Sequence, residues 1–324
     1  RQALRLTGLE KAEIAVLYKK LLESLSSLSD IDLSIANSIW ARKGLPFKQD
    51  FLETGRKFFG AKIAELEFDD PETLEKINGW VNEKTNGKIS KIIDRLNPLD
   101  IMVLLNAIYF EGPWSDQFEE EATRERTFYH VDGSEKKVPM MNQIGNFRYL
   151  RTENLQMIRL PYGEGERLAA YIVLPKQDRG LRDFTSDLSN AKWKNLLARM
   201  KGDRGRIVLP RFELKYKKQL NEPLKQLGMK LPFNETEANL TGIIDLSDAN
   251  ASISKVKHKT LLEVTEKGTV AAAATGVKIN ITTAVPMKKT FEMVVDRPFL
   301  FAISDEETST LLFLGEVWNP KRVS

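Results

Sequence analysis

The sequence predicts an α+β fold. Strand-like blocks come in unequal groups instead of alternating regularly with helices, and the helical patterns are segregated from them. One nearly continuous apolar run, Ile101 to Phe110, has the length and the β-branched and aromatic content of a strand buried on both faces. Taken in order, "EKAEIAVLYKKLLESL" from Glu10 has helical spacing, and "DLSIANSIWARKG" alternates like a strand ending at Gly44. "KQDFLETGRKFFGAKIAELEF" reads as a helix leading into a strand. Asp70-Pro71-Glu72 starts a helix, with Asp as N-cap and Pro in the first turn. That helix carries Leu74, Ile77 and Val81 on one face and ends near Asn86-Gly87. Beyond Phe110 strand and turn signals dominate: "TFYHVDGSEKKVPMM" with its Asp132-Gly133 turn, "LQMIRLPYGEGERLAAYIVLP" and "GRIVLPRFELKY". Single helices intervene at "LSNAKWKNLLARM" and "LNEPLKQLGM". The last stretch, "KTFEMVVDRPFLFAISDEETSTLLFLGEVWNP", reads as strand, strand, hairpin, strand. With no internal repeat and no low-complexity linker, a single domain over residues 1–324 is expected.

The 324 residues carry a net charge of +4, with basic and acidic side chains interspersed, so no global basic field points to nucleic acid. There is no cysteine, which excludes disulfides, thiolate zinc sites and a cysteine nucleophile. No apolar run is long enough to span a bilayer as a helix. Nucleophilic catalysis needs a nucleophile, a base and an orienting group. The two histidines are His130, beside the Asp132-Gly133 turn, and His258. His130 reads as an exposed hairpin residue, Glu119-Glu120-Glu121 as solvated surface, and "GEGE" from Gly163 as a turn between strands. No nucleophile elbow, phosphate loop or zinc-protease motif is present. Catalysis by this chain's own side chains is not expected.

One stretch remains unexplained on these terms. "EKGTVAAAATGVKIN", Glu266 to Asn280, has helix-favouring alanines but no amphipathic stripe and little bulk. Taken as a strand, Thr269, Ala271, Ala273, Thr275, Val277 and Ile279 share one uncharged face, and the other face carries Lys278 and Asn280.

"KVKHKTLLEVTEKGTVAAAATG", "DRPFLFAI", "LLFLGEVWNP", "LLNAIYFEGPW", "INGWVNEKTNGKI", "FYHVDGSEKKVPMM" and "LPRFELKY" resemble, in order and over nearly the whole chain, the serpin superfamily of serine protease inhibitors. The missing cysteine, high charge and short loops look like a prokaryotic, thermophile-like member. The resemblance implies three β-sheets (a large sheet A with sheets B and C), eight or nine helices and a reactive-centre loop over about residues 268–288. It implies a start at "RQALRLTG" that follows a longer N-terminal helix region, in which the family's shutter serines would lie.

The function implied is suicide inhibition. A target serine protease cleaves the loop, forms an acyl-enzyme, and is trapped as residues 268–282 insert as a strand into sheet A. The hinge would be Glu266, Gly268, Thr269, Val270, Ala271, Ala272, Ala273 and Ala274, with Val270 standing where the family usually has Glu. Bulky or charged hinge residues would oppose entry into a packed sheet. The shutter would be Asn106 and His258, and the breach Trp114. Family spacing places the reactive bond at Thr282-Thr283, suiting an elastase- or subtilisin-like protease. Lys288-Lys289, suiting a trypsin-like one, is the alternative. A metastable native form is implied, and the expected resting structure has its loop already inserted, latent or cleaved. No cofactor, metal, nucleic acid or membrane is implied, and a monomer is expected. Localisation is left open, with an extracellular setting favoured. The rival reading within the family is a non-inhibitory carrier or chaperone.

Overall fold

The computed structural model describes residues 6, 8–176, 180–245, 251–269 and 291–321. The helices are α1 (Lys11–Ser26), α2 (Gln49–Phe59), α3 (Pro71–Lys84), α4 (Gly180–Ser186), α5 (Asn190–Arg199) and α6 (Asn221–Gln226). Short 3-10 helices at Glu120–Ala122 and Leu231–Phe233 bring the helical segments among the described residues to eight. The strands are β1 (Asp32–Arg42), β2 (Lys62–Leu66), β3 (Met102–Pro113), β4 (Arg124–Tyr129), β5 (Glu135–Arg151), β6 (Leu155–Pro161) and β7 (Leu168–Pro175). They continue as β8 (Lys201–Pro210), β9 (Phe212–Gln219), β10 (Lys255–Val264), β11 (Gly268–Thr269), β12 (Phe291–Val294), β13 (Phe299–Asp305) and β14 (Thr310–Val317).

Two hydrogen-bonded sheets result. One runs β2-β1-β3-β11-β10-β9, and the other runs β12-β8-β5-β6-β7-β13-β14 with β4 on β5. The expected sheets B and C fall within one network because β5 is 17 residues long. Its first residues pair with β4, its middle with β8 and its end with β6.

The chain divides into two compact units, residues 1–110 with 215–261, and residues 111–214 with 262–324. In the first, α3 begins as its sequence demands: the Asp70 carboxylate accepts the Glu72 amide at 2.9 Å and Pro71 needs no donor. Its apolar face buries Ile77 and Val81 completely, against Trp40, Ile92, Val103 and Leu105. Each such aliphatic side chain contributes about 2 kcal/mol. The Trp80 ring meets Trp40 edge to face at 5.8 Å. α2 stops at Gly60, whose left-handed φ of +58° closes the helix and turns the chain into β2. β3 departs from the two-sided burial expected of it. Buried and half-buried residues alternate from Leu104 to Tyr109, so one face packs on the core and the other is partly open. In the second unit β7 is buried along its whole length and packs with Trp193, Leu196 and Leu300.

Candidate functional site

Two polar constructions stand out, one in each unit, and both involve strands β3 or β10. In the first unit, β3 and β10 run parallel, with Val103–Tyr109 opposite Lys255–Leu261. This register sets Asn106 beside His258. The Phe59 carbonyl accepts from the Asn37 amide at 3.1 Å, Asn37 Oδ1 from the Asn106 amide at 2.7 Å, and Asn106 Oδ1 faces His258 Nδ1 at 2.6 Å. An amide oxygen only accepts, so Nδ1 carries the proton. In the neutral ring Nε2 then accepts from the Thr260 hydroxyl at 2.8 Å. The Tyr216 ring lies 5.8 Å away, tilted over the imidazole. Three strands, β1, β3 and β10, are thus joined by side chains as well as by their backbones.

Burial holds the His258 imidazole below its ordinary pKa, against an opposing contribution from Asn106. As pH falls, the unfolded chain therefore takes up this proton first. The stability tied to neutral His258 is complete above about pH 6.5 and is lost as pH drops through that value. The melting temperature is expected to fall more steeply below pH 6.5 in the wild type than in His258→Gln. Parallel slopes for the two proteins would remove this role from His258.

In the second unit the chain leaves β10, turns at Glu266-Lys267 and returns as β11. The Thr265 amide donates to the Gly268 carbonyl at 2.8 Å, closing a two-residue turn. β11 lies antiparallel to both neighbours, with Gly268 opposite Pro113 and Thr269 opposite Gly112 on one side and Val264 on the other. Gly268 is required twice over. Its φ is +151°, and a Cβ there would sit 2.2 Å from the Gly112 oxygen and 2.7 Å from the Pro113 Cα. Thr269 is fully buried and its hydroxyl meets Tyr162 Oη at 2.6 Å. The Tyr162 phenol is buried too, which pushes its pKa far up and keeps it neutral.

Trp114 closes this end. Its ring stacks on Tyr162 at 4.5 Å, its indole N–H donates to the Thr265 carbonyl at 2.9 Å, and its backbone N–H donates to Lys267 at 3.0 Å. Glu266, 3% exposed, accepts from the Thr123 hydroxyl at 2.6 Å through Oε1. Its Oε2 lies 3.2 Å from Arg211 Nε as an ion pair. The turn is therefore held at Glu266, Lys267 and Thr269.

The structure thus brings Asn106 and His258 together, and gathers Trp114, Glu266, Gly268 and Thr269. It adds Asn37, Thr260, Tyr162, Thr123 and Arg211, which the sequence reading missed. Only the register of β3 against β10 and the fold of β6 could have exposed them. Val270 to Ala274 and the bonds Thr282-Thr283 and Lys288-Lys289 lie outside the described residues. His130 is half-buried, with its ring edge-on to Phe128 and Nδ1 3.3 Å from the Trp318 carbonyl, where an exposed residue was expected. The hairpin folds it back against Trp318, the residue that follows β14. Glu119, Glu120 and Glu121 are exposed as expected.

The expectation of a fully inserted loop is corrected. β3 and β10 pair directly from Val103 to Tyr109, so no strand lies between them there. Only Gly268 and Thr269 occupy the interval, at the Trp114 end.

A sheet topped by this short entering strand defines the class. The profile of the family described as Serpin (serine protease inhibitor) matches residues 1–320, and the chain belongs to that family. It is similar to an uncharacterised serpin-like protein of Thermococcus kodakarensis, 36% identical over 308 residues, 94% of this chain and 71% of the relative. Human serpin B11 is 35% identical over 301 residues, 90% of this chain and 75% of the relative. Among solved structures, native tengpin, a thermophilic serpin, superposes with a TM-score of 0.88 at 31% identity, covering 98% of this chain and 81% of tengpin. Serpins in general inhibit proteases and do not catalyse reactions of their own.

Proposed function

We propose that this chain inhibits serine proteases as a suicide substrate, acting as one inhibitory domain. The observation that carries the reading is β11: the start of the hinge is already paired between β3 and β10, and the residues after it are small. The protease attacks the carbonyl of Thr282, releases the amine of Thr283 and remains attached as an ester. The freed segment then continues β11 downward between β3 and β10.

From Gly268 to Thr282 the new strand runs roughly 45 Å and carries the protease about that far. Each added residue contributes ladder hydrogen bonds worth about 1 kcal/mol, so insertion releases on the order of 10 kcal/mol. A displacement of about 1 Å already costs ~100-fold in a catalytic step, so dragging the acylated nucleophile from its partners halts deacylation. Thr269, Ala271, Ala273 and Thr275 would face inward, and Val270, where relatives carry Glu, outward. Asn106 and His258 act as the shutter that β3 and β10 must part, and Trp114 marks the breach where insertion starts. A closed sheet with its loop outside is then the metastable state, held by a kinetic barrier.

Incubation with elastase-, subtilisin- and trypsin-like proteases, followed by a denaturing gel, tests the reading. A covalent complex of summed mass is expected with one of the first two, with a released peptide beginning at Thr283. Simple cleavage without complex by all three would favour the carrier or chaperone reading. Thr282→Arg is expected to shift inhibition toward trypsin-like enzymes by at least about tenfold, because it replaces a small side chain by a long cation. A released peptide beginning after Lys288 or Lys289 would instead move the bond there.

A further inference from the structure

β12 is held at its entry by one aromatic ring. The strand has four residues, Phe291–Val294, lies at the end of its sheet and pairs in parallel with β8. Its far end is fixed by the backbone that follows. The Val295 amide donates to the Val208 carbonyl at 2.8 Å, and the Asp296 carbonyl accepts from the Tyr129 amide at 2.7 Å. Its first residue, Phe291, is 6% exposed. The Phe291 ring lies parallel to that of Tyr149, with centroids 3.8 Å apart, and edge-on to Phe147 at 6.1 Å. The Tyr149 hydroxyl donates to Gln156 Oε1 at 2.6 Å, which fixes the stacking partner.

Two glycines make the seat. Gly205 of β8 stands opposite Phe291 on one side and opposite Gly145 of β5 on the other. A Cβ on Gly205 would fall 2.3 to 2.5 Å from three atoms of the Phe291 ring, and one on Gly145 would fall 3.2 Å from the tip of Phe147. Neither glycine has a left-handed φ, so neither serves a turn. Glycine inside a strand weakens it, and the close approach of a neighbouring group is the reason left for its presence.

Little else grips this end. The ladder with β8 is four residues long, and the Glu292–Arg206 ion pair at 3.0 Å has its carboxylate 53% exposed, where such pairs contribute little. Met293 is buried as well, but it sits two residues nearer the fixed end.

Phe291 is the first described residue after the segment that carries the proposed reactive bond. Eight residue steps separate Thr283 from Phe291, against thirteen between Thr269 and Thr282. Eight steps reach at most about 28 Å and thirteen about 45 Å, so the shorter tether limits where the bond is held. We propose that Phe291 is a positioning residue for the inhibitory reaction. Its ring, held by Tyr149 and Phe147 over Gly205, fixes the far end of the reactive segment and presents the bond from a short tether. This role rests on the suicide-substrate reading above; the seat does not. Without the ring, β12 peels back to Val295 and the tether grows from eight to twelve steps. The local concentration of a tethered group falls at least as the −3/2 power of tether length, so association slows at least about twofold. Trapping after cleavage starts from Thr269 and is unaffected.

Phe291→Ala and Gly205→Ala empty the seat in two ways, the first by truncation and the second by a methyl group to which the ring must yield. Melting curves establish that each variant is folded. Amide hydrogen exchange of the full chain is the first readout. Two residues before Val295, the Met293 amide lies on the same edge of the strand, facing β8. Its exchange should rise at least about tenfold in both variants, while the Val295 amide stays protected. Gly205→Ala combined with Phe291→Leu should exchange more slowly than the two single changes sum to, because the smaller side chain makes room for the methyl group. The second readout is the rate constant for covalent complex formation, with the amount of inhibitor consumed per protease trapped. The rate constant should fall at least about twofold in both alanine variants, with consumption unchanged. Unchanged Met293 exchange in both, or faster exchange with an unchanged rate constant, would overturn the role of Phe291 and leave the inhibitory reading standing. A wild type that forms no covalent complex would overturn the two together.

Discussion

Thr269→Arg is expected to turn an inhibitor into a substrate. Thr269 has no exposed surface, lies between β3 and β10, and shares a hydrogen bond with the buried phenol of Tyr162. A guanidinium there would be desolvated, with no carboxylate among the residues that hold Thr269. An uncompensated buried charge costs roughly 3–5 kcal/mol. On the proposed mechanism full insertion, at on the order of 10 kcal/mol, still wins at equilibrium, and the outcome is decided by rate, because insertion races deacylation. The resting protein escapes the cost of the buried charge by releasing residue 269 from β11, so the first inserting step must bury the charge; a barrier raised by about 3 kcal/mol slows it ~100-fold, and hydrolysis takes over. On a denaturing gel the covalent complex should give way to a cleaved inhibitor band, with the loop still cut at the same bond. Ala271→Arg, the next inward position, is expected to behave alike, and Thr269→Ser to retain trapping. An undiminished yield of complex from both arginine variants would end the insertion mechanism for this chain.

Gly268→Ala should expel β11 from the sheet. The new methyl group meets backbone on the β3 side, the Gly112 oxygen at 2.2 Å and the Pro113 Cα at 2.7 Å, and neither can rotate away. The φ of +151° adds strain for any residue with a Cβ. Relief requires the turn at Glu266-Lys267 to swing out, breaking the Tyr162–Thr269 bond and the Val264–Thr269 pairing. A loss of about 2–3 kcal/mol is expected, lowering the melting temperature by roughly 3–5 °C. Hydrogen exchange at the Thr269 amide should rise at the same time. Unchanged protection of that amide would show that the methyl group is accommodated and that β11 does not depend on glycine.

The sequence by itself determined the order and type of most elements. Local chemistry decides them: Asp70-Pro71 starts α3, Asp132-Gly133 turns β4 into β5, and the alternation of "DLSIANSIWAR" makes β1. The family, too, was legible, because its motifs are local strings in a fixed order. The uncharged alternation from Thr269 to Ile279 was legible as a strand-compatible pattern before any neighbour was known. The tertiary structure alone decided what each of these residues touches. His258 and Asn106 are 152 positions apart, and only the parallel register of β10 on β3 sets them side by side. Tyr162 reaches Thr269 across 107 positions, and Glu266 reaches Thr123 across 143. The resting state was likewise beyond the sequence. On the proposed mechanism, whether β3 pairs with β10 or with an inserted strand is a choice between two arrangements of the same residues, separated by a barrier. Side-chain patterns compatible with both do not choose between them. Packing does, with two residues entered and the sheet closed below them.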